Sequence, residues 1–371
     1  MNIALITPHF EPVIGGTPTV VYNIAKELAK LGHCVEVFTP AYHKWLKLRS
    51  KKRGFKITRT KWRGSKLLSN ILFHFEILTK LKKFDIIHVF HPYFGLSGYL
   101  AKKFYNKGFF VSLMGWDTYT PLKRTNLFLK QIIKFFSREA NIIFSPSNEL
   151  EKKAIQQGLN GKIIVIPHGI DLNKIKLSKL EKEKKKGKLG AQGKFIFLVV
   201  ERLHPVKDPL FLLENWKQID ISDTMLLIVG EGELYSLVQN KIRQENIKNV
   251  KMLGSISPKK IEEIYAISNI LIHYSSYESF GLILLEAMKY GLPIIATKVG
   301  AISELVSNKE GLLIKLNNKK EFRKAILKMA KNKKFLKILS QNCLKKFKNY
   351  NWGKIIKYYI GYYEGWYGKK Q

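Results

Sequence analysis

Glu278-Ser-Phe-Gly-Leu-Ile-Leu-Leu-Glu286 places a carboxylate at each end of a mostly apolar stretch. Carboxylates are seldom buried alone, because a buried charge is costly unless it is paired or hydrogen-bonded. Glu286 stands inside Leu282-Ile-Leu-Leu-Glu-Ala-Met288, at the expected edge of a core, so something must satisfy it. Ser279 is a good N-cap, and it predicts a helix over residues 280 to about 290, ended by Gly291 and Pro293. Glu278 then falls in the loop just before the helix, and Glu286 lies roughly 10 Å further along it. Free N–H groups at such an N-terminus suit a phosphate. A carboxylate at each end of this turn could hold hydroxyls on both sides of a diphosphate. The plainer alternative is a helix cap plus a salt-bridged core glutamate.

The stretch belongs to a series of short apolar runs that alternate with helical spacing. Phe195-Ile-Phe-Leu-Val-Val200, Met225-Leu-Leu-Ile-Val229, Val250-Lys-Met-Leu253, Ile270-Leu-Ile-His273, Pro293-Ile-Ile-Ala296 and Leu312-Leu-Ile314 read as buried strands. An earlier series lies upstream, at residues 3–7, 35–38, 86–89, 109–113, 142–144 and 163–166. Val20, Val21, Ile24, Leu28 and Leu31 give the first helix its periodicity. Both series have the pattern of parallel sheets covered on both faces by helices. The expected architecture is α/β, with two doubly wound domains in tandem over residues 1–170 and 195–350. A lysine-rich linker or loop is expected at 171–194 and an aromatic C-terminal helix, packed back on the body, at 351–371. In such sheets ligands bind beyond the carboxyl ends of the strands, so a cleft between the domains is the expected site.

Composition sets limits. A chain of 371 residues with 46% hydrophobic and 12% aromatic residues buries sizeable cores and is not a disordered chain. Cys34 and Cys343 are too few for a disulfide framework, which fits a reducing compartment. The N-terminus reads as a strand and not as a signal peptide, and no apolar run is long enough for a membrane span. The net charge is +37, and no acidic residue occurs between Glu36 and Glu76. That span holds Lys44, Lys47, Arg49, Lys51, Lys52, Arg53, Lys56, Arg59, Lys61, Arg63 and Lys66, interleaved with Trp45, Leu46, Leu48, Phe55 and Trp62. Residues 44–66 are therefore expected to meet an anionic membrane surface, each basic side chain adding about 1 kcal/mol. A solvated lysine face is the alternative, and no recognised nucleic-acid module is present.

Three further groups carry chemistry. Gly15-Gly16 opens the first helix, where glycines let backbone approach a phosphate or sugar, but the dinucleotide fingerprint G-x-G-x-x-G is absent. Arg202 and Lys207 follow the first strand of the second series, placed to clamp a diphosphate leaving group. Gly230-Glu-Gly232 is a βα turn that could also admit a nucleotide. His88, His91, His168, His204 and His273 form no metal-ligand spacing, and no metal site is expected.

Taken together these residues resemble the retaining GT-B glycosyltransferases of family 4 (glycosyl transferases group 1). Glu278 to Glu286 resembles that family's E-x7-E element, which Ala287-Met-Lys-Tyr-Gly-Leu-Pro293 and Val299-Gly-Ala-Ile-Ser-Glu304 continue. Arg202-Leu-His-Pro-Val-Lys207 resembles its phosphate clamp, Ile166-Pro-His-Gly-Ile-Asp171 its interdomain element, and Gly15-Gly16 its N-terminal glycine loop. The resemblance implies an N-terminal acceptor-binding domain, a C-terminal domain for a nucleotide-sugar donor, and no cofactor or metal. It favours a UDP-sugar, with GDP possible. Glu286 would bond the ribose hydroxyls, and Glu278 the hydroxyls of the transferred sugar. Ser279, Phe280, Gly281 and Leu282 would face sugar and diphosphate, while Arg202 and Lys207 neutralise the departing diphosphate. The acceptor hydroxyl would attack from the leaving-group face, with a donor phosphate oxygen helping to take its proton.

Two positions depart from the pattern. Met114 stands where the family usually has a histidine that reaches the donor sugar; His91 could take that part, and nothing in the sequence assigns it. Glu201 replaces a glycine that often precedes the arginine, and it is expected to point away from the diphosphate. The expected activity is sugar transfer to a lipid-linked or cell-surface glycan acceptor at the cytoplasmic membrane face. A soluble acceptor, such as a sugar phosphate or glucan, is the alternative enzyme reading. A non-catalytic polyanion-binding protein is the alternative outside enzymes.

Overall fold

A computed structural model describes residues 1–13, 15–41, 46–52, 54–61, 64–115, 127–219 and 221–368. Two compact units emerge, one of residues 1–169 and 352–371, the other of residues 170–351.

The first unit is built on β1 (Asn2–Ile6), β2 (Cys34–Pro40), β3 (Arg49–Lys52), β4 (Phe55–Thr60), β5 (Ile86–Phe90), β6 (Gly108–Ser112), β7 (Ile142–Ser145) and β8 (Ile163–Val165). They lie in the order β3-β4-β2-β1-β5-β6-β7-β8. Every pairing is parallel except β3 with β4. β5 and β6 are buried along their whole length, as parallel strands covered on both faces must be. The helix Trp352–Tyr367 returns to this unit. Its Tyr363 hydroxyl lies 2.7 Å from His88 Nδ1, and the other ring nitrogen of His88 lies 2.7 Å from Ser112 Oγ. Burial pushes His88 down to about 3, so the ring is neutral at physiological pH.

Part of the basic segment is engaged within the first unit. Phe55 is fully buried against Tyr22 and Phe10. Arg59 donates to the carbonyls of Glu11 and Lys47, and Lys52 pairs with Glu11 at 2.6 Å. Phe55, Arg59 and Lys52 thus tie the edge hairpin of β3 and β4 to the rest of the unit. Lys47, Leu48, Arg49, Lys51, Lys56 and Lys61 remain exposed. Lys44, Trp45, Arg53, Trp62 and Arg63 lie outside the described residues, as does the side chain of Lys66.

The second unit contains β9 (Phe195–Val200), β10 (Thr224–Val229), β11 (Val250–Gly254), β12 (Ile270–His273), β13 (Ile294–Thr297) and β14 (Gly311–Ile314). Their order is β11-β10-β9-β12-β13-β14, all parallel. This is the Rossmann order, whose switch point falls between β9 and β12. Residues 171–194, read as a linker, instead carry the helix Lys179–Lys188, opened by a capping box of Ser178 and Glu181. Lys185 pairs with Glu263 at 2.7 Å, and Ile175 N–H donates to the Tyr290 hydroxyl, so the stretch is stitched into this unit.

Candidate functional site

Arg202 and Lys207 leave the carboxyl end of β9, and His273 and Glu278 stand at the end of β12 and just beyond it. These are the two strands that flank the switch point, where an open parallel sheet diverges and leaves a crevice. The loops are bolted together. The carbonyl of Val206 accepts from Ser276 N–H at 2.8 Å and from Ser276 Oγ at 3.1 Å, and Thr297 Oγ1 donates to the carbonyl of Ser275 at 2.6 Å. Glu278 is fixed from behind, its carbonyl accepting from Ala301 N–H at 3.0 Å. Gly300 has φ 52, and a Cβ there would sit 2.1 Å from the Glu278 carbonyl oxygen, so residue 300 must be glycine for this approach.

Lys207 Nζ lies 2.8 Å from Glu278 Oε2, and His273 Nε2 lies 3.1 Å from the same oxygen. Burial alone would raise the Glu278 carboxyl, but the Lys207 ammonium and the His273 hydrogen bond outweigh it and hold it well below the usual range. His273 itself is lowered by burial and by Lys207. Glu278 therefore stands ionised and oriented, a hydrogen-bond acceptor with its charge already paired.

The helix after this loop is Leu282–Lys289, capped by Gly281 and not by Ser279. The expected start at 280 fails for a physical reason: Phe280 is drawn into the core, edge-on to Tyr350, and Ser279 N–H is held by Glu278 Oε1 at 3.2 Å. Glu286 lies on this helix, and its partner is the Tyr265 hydroxyl, which donates to Oε2 at 2.9 Å. Burial raises the Glu286 carboxyl, while Tyr265 and Lys289 pull it back. Lys289 is committed elsewhere, to Glu262 at 2.6 Å and to the carbonyl of Asn173 at 2.7 Å.

The structure thus groups Arg202, Lys207, Glu278, Ser279, Phe280, Gly281, Leu282 and Glu286 on one unit. Gly15 and Gly16 belong to the other, at the start of the helix Gly16–Lys30, where Thr17 Oγ1 lies 3.4 Å from His91 Nε2. His91 follows β5, and its N–H donates to the carbonyl of Ser112, two residues before Met114. Glu201, expected to point away from a diphosphate, has its Oε2 closed off from solvent, and its carboxyl feels the charges of Lys207, Glu278 and Asp208. Sequence reading missed His273 and Tyr265. The position of His273 at the last residue of a strand, five before Glu278, was an available signal, whereas Tyr265 reaches Glu286 only through tertiary packing. The glycines of Gly230-Glu-Gly232 are accounted for by close packing against the backbones of Glu201 and Leu203.

Residues 14–174 match the family model described as Glycosyltransferase Family 4, and residues 181–346 the one described as Glycosyl transferases group 1. The chain is 31% identical over 284 residues to the UDP-Gal:alpha-D-GlcNAc-diphosphoundecaprenol alpha-1,3-galactosyltransferase of Escherichia coli, covering 73% of each chain. It is 25% identical to the alpha-monoglucosyldiacylglycerol synthase of Acholeplasma laidlawii, over 92% of this chain and 91% of that one. Among solved structures, Anabaena HepE in complex with UDP and glucose is similar at a TM-score of 0.84 and 19% identity, over 98% of this chain and 100% of that one.

Proposed function

The chain belongs to the family 4 glycosyltransferases, a retaining and metal-independent family of GT-B fold, and from that premise we propose that it moves a sugar from a UDP-sugar to a lipid-linked acceptor at an anionic membrane face. The observation that carries the donor half is the convergence of Lys207 and Glu278 on each other, 2.8 Å apart, across the switch point of the second sheet. Lys207 and Arg202 meet the diphosphate as its bond to the sugar breaks, which stabilises charge that develops only in the transition state. Glu278, kept ionised, accepts from hydroxyls of the sugar. Glu286, aimed by Tyr265, accepts from the ribose. The amides from Phe280 to Leu282 face sugar and diphosphate at the start of the helix Leu282–Lys289. The N-terminal unit holds the acceptor, while its Gly15 and Gly16 are donor-binding candidates.

The lipid acceptor is supported by two relatives whose names carry lipid-linked products or substrates, and by surface chemistry. The helix Lys66–Leu81 exposes Leu68, Ile71 and Phe75 at helical spacing, in a first unit that also exposes Lys47, Arg49 and Lys51. No helix among the described residues is long and apolar enough to cross a membrane. UDP is favoured by the donor named for the Escherichia coli relative. The test pairs transfer with flotation. UDP-sugars are incubated with a polyprenyl-diphosphate-linked sugar, a diacylglycerol or a soluble sugar phosphate, and the protein is floated with anionic or neutral vesicles. The expected result is transfer to a lipid acceptor, with flotation on anionic vesicles that weakens as salt rises. Transfer to the sugar phosphate alone, with no flotation, sinks the membrane half of the reading.

A further inference from the structure

Glu201 is the carboxyl for which the donor site has no assigned task. It follows β9 directly, and its backbone is fixed: its N–H donates to the carbonyl of Val229 at 3.0 Å. Its own carbonyl oxygen lies 1.8 Å from where a Cβ on Gly230 would stand, at φ 133, so β10 can leave the sheet only past a glycine. The Glu201 Oε2 is closed off from solvent and has no hydrogen-bond partner among the described residues. Unsatisfied buried acceptors are uncommon, and they mark places where something is missing.

The charged groups around it are these. Lys207 and Asp208 act on Glu201 from its own loop, and Glu278 from the far side of the switch point. Lys207 and His273 both lie against Glu278 Oε2. Asp208 caps the helix Pro209–Trp216 through Phe211 N–H at 3.1 Å. Arg202, the next residue, is exposed. On the β10 side Glu231 turns its Oε1 to Ser255 N–H, and His204 lies 3.4 Å from Glu233. At the crevice, then, Lys207 is outnumbered by Glu201, Asp208 and Glu278. A diphosphate entering this set is repelled less when one carboxyl is neutral.

We propose that Glu201 is a proton-linked residue of the donor site: the donor complex holds it as a neutral carboxylic acid, which removes one negative charge from beside the Lys207–Glu278 pair that meets the diphosphate. Where Glu201 starts ionised, binding takes up one proton from solvent; where it starts protonated, none moves. Burial, opposed by Lys207 and reinforced by Glu278 and Asp208, pushes its carboxyl up to about 8. The inference rests on the donor site being where it is proposed.

Calorimetric titration with UDP-glucose tests it, in buffers of different ionisation heat, at pH about 6.5 and about 8.8. Its diphosphate diester does not titrate in that range. The wild-type protein is expected to lose about five- to tenfold in affinity across the interval and to take up close to one proton per ligand at the upper pH. Both readouts need no variant. Glu201→Gln is expected to lose much less affinity across the interval and to take up only the small fraction of a proton that belongs to the uracil imide of the ligand. If UDP-glucose binding survives in both Lys207→Ala and Glu286→Ala, the donor-site reading falls and this inference with it. If those variants lose binding while wild type and Glu201→Gln share one pH dependence, this inference alone is overturned.

Discussion

Lys207 and Glu278 are 71 residues apart in sequence and 2.8 Å apart in space, which makes their pair sensitive to single substitutions. Both side chains are less than a fifth exposed. Removing one partner leaves the other charge buried, at a cost of about 3 kcal/mol. Lys207→Ala should therefore lower the melting temperature at neutral pH. The sign with pH is fixed by Glu278. Its folded carboxyl is held low, so its stabilisation is present above the ordinary carboxylate range and is lost as pH falls. The gap between wild type and Lys207→Ala should narrow progressively as pH falls below about 4.5. Melting curves from pH 7 down to acid check this, and a gap that widens in acid contradicts it. Glu201 has the opposite sign: its folded carboxyl is raised, so its contribution is full below the ordinary carboxylate range and fades as pH rises through about 8.

At the scale of elements, the site depends on two loops held by backbone contacts. Gly300→Ala would put a Cβ 2.1 Å from the Glu278 carbonyl at a positive φ. Strain of this kind costs on the order of 1–3 kcal/mol, and Glu278 must shift to relieve it. The expected outcome is a folded protein, a few degrees less stable, whose donor affinity falls about tenfold or more. Melting combined with donor titration measures both; unchanged affinity would show that Glu278 does not depend on this backing. Apart from β3 and β4, the strands of both sheets were legible because buried parallel strands are written as continuous apolar runs. Arg202, Lys207, Glu278 and Glu286 could be singled out as candidates because each follows or lies near such a run. The cap at Gly281 was not, since the pull of Phe280 into the core competes with Ser279 for the helix start. The hairpin of β3 and β4 was hidden by its lysines, and the helix Lys179–Lys188 by its own. Only the Ser178 and Glu181 capping box signalled that second helix.

Over the whole molecule, one doubly wound order recurs in both units, and β9, β10, β11, β12, β13 and β14 carry it in pure form. Fold and site are consistent here: the cations, the carboxylates and the helix start all sit at strand ends on either side of one switch point. The +37 charge belongs to this scale as well, and under the proposed function it would draw the chain toward anionic surfaces in a salt-dependent way. The central claim is that this crevice of the second unit holds a nucleotide diphosphate between Lys207 and Glu286. The most direct test is the shift in thermal unfolding on adding UDP to wild type, Lys207→Ala and Glu286→Ala. At a hundred times its dissociation constant, UDP should stabilise the wild type by about 2.7 kcal/mol. At that same concentration both variants should gain much less. Equal stabilisation of all three proteins would contradict the account.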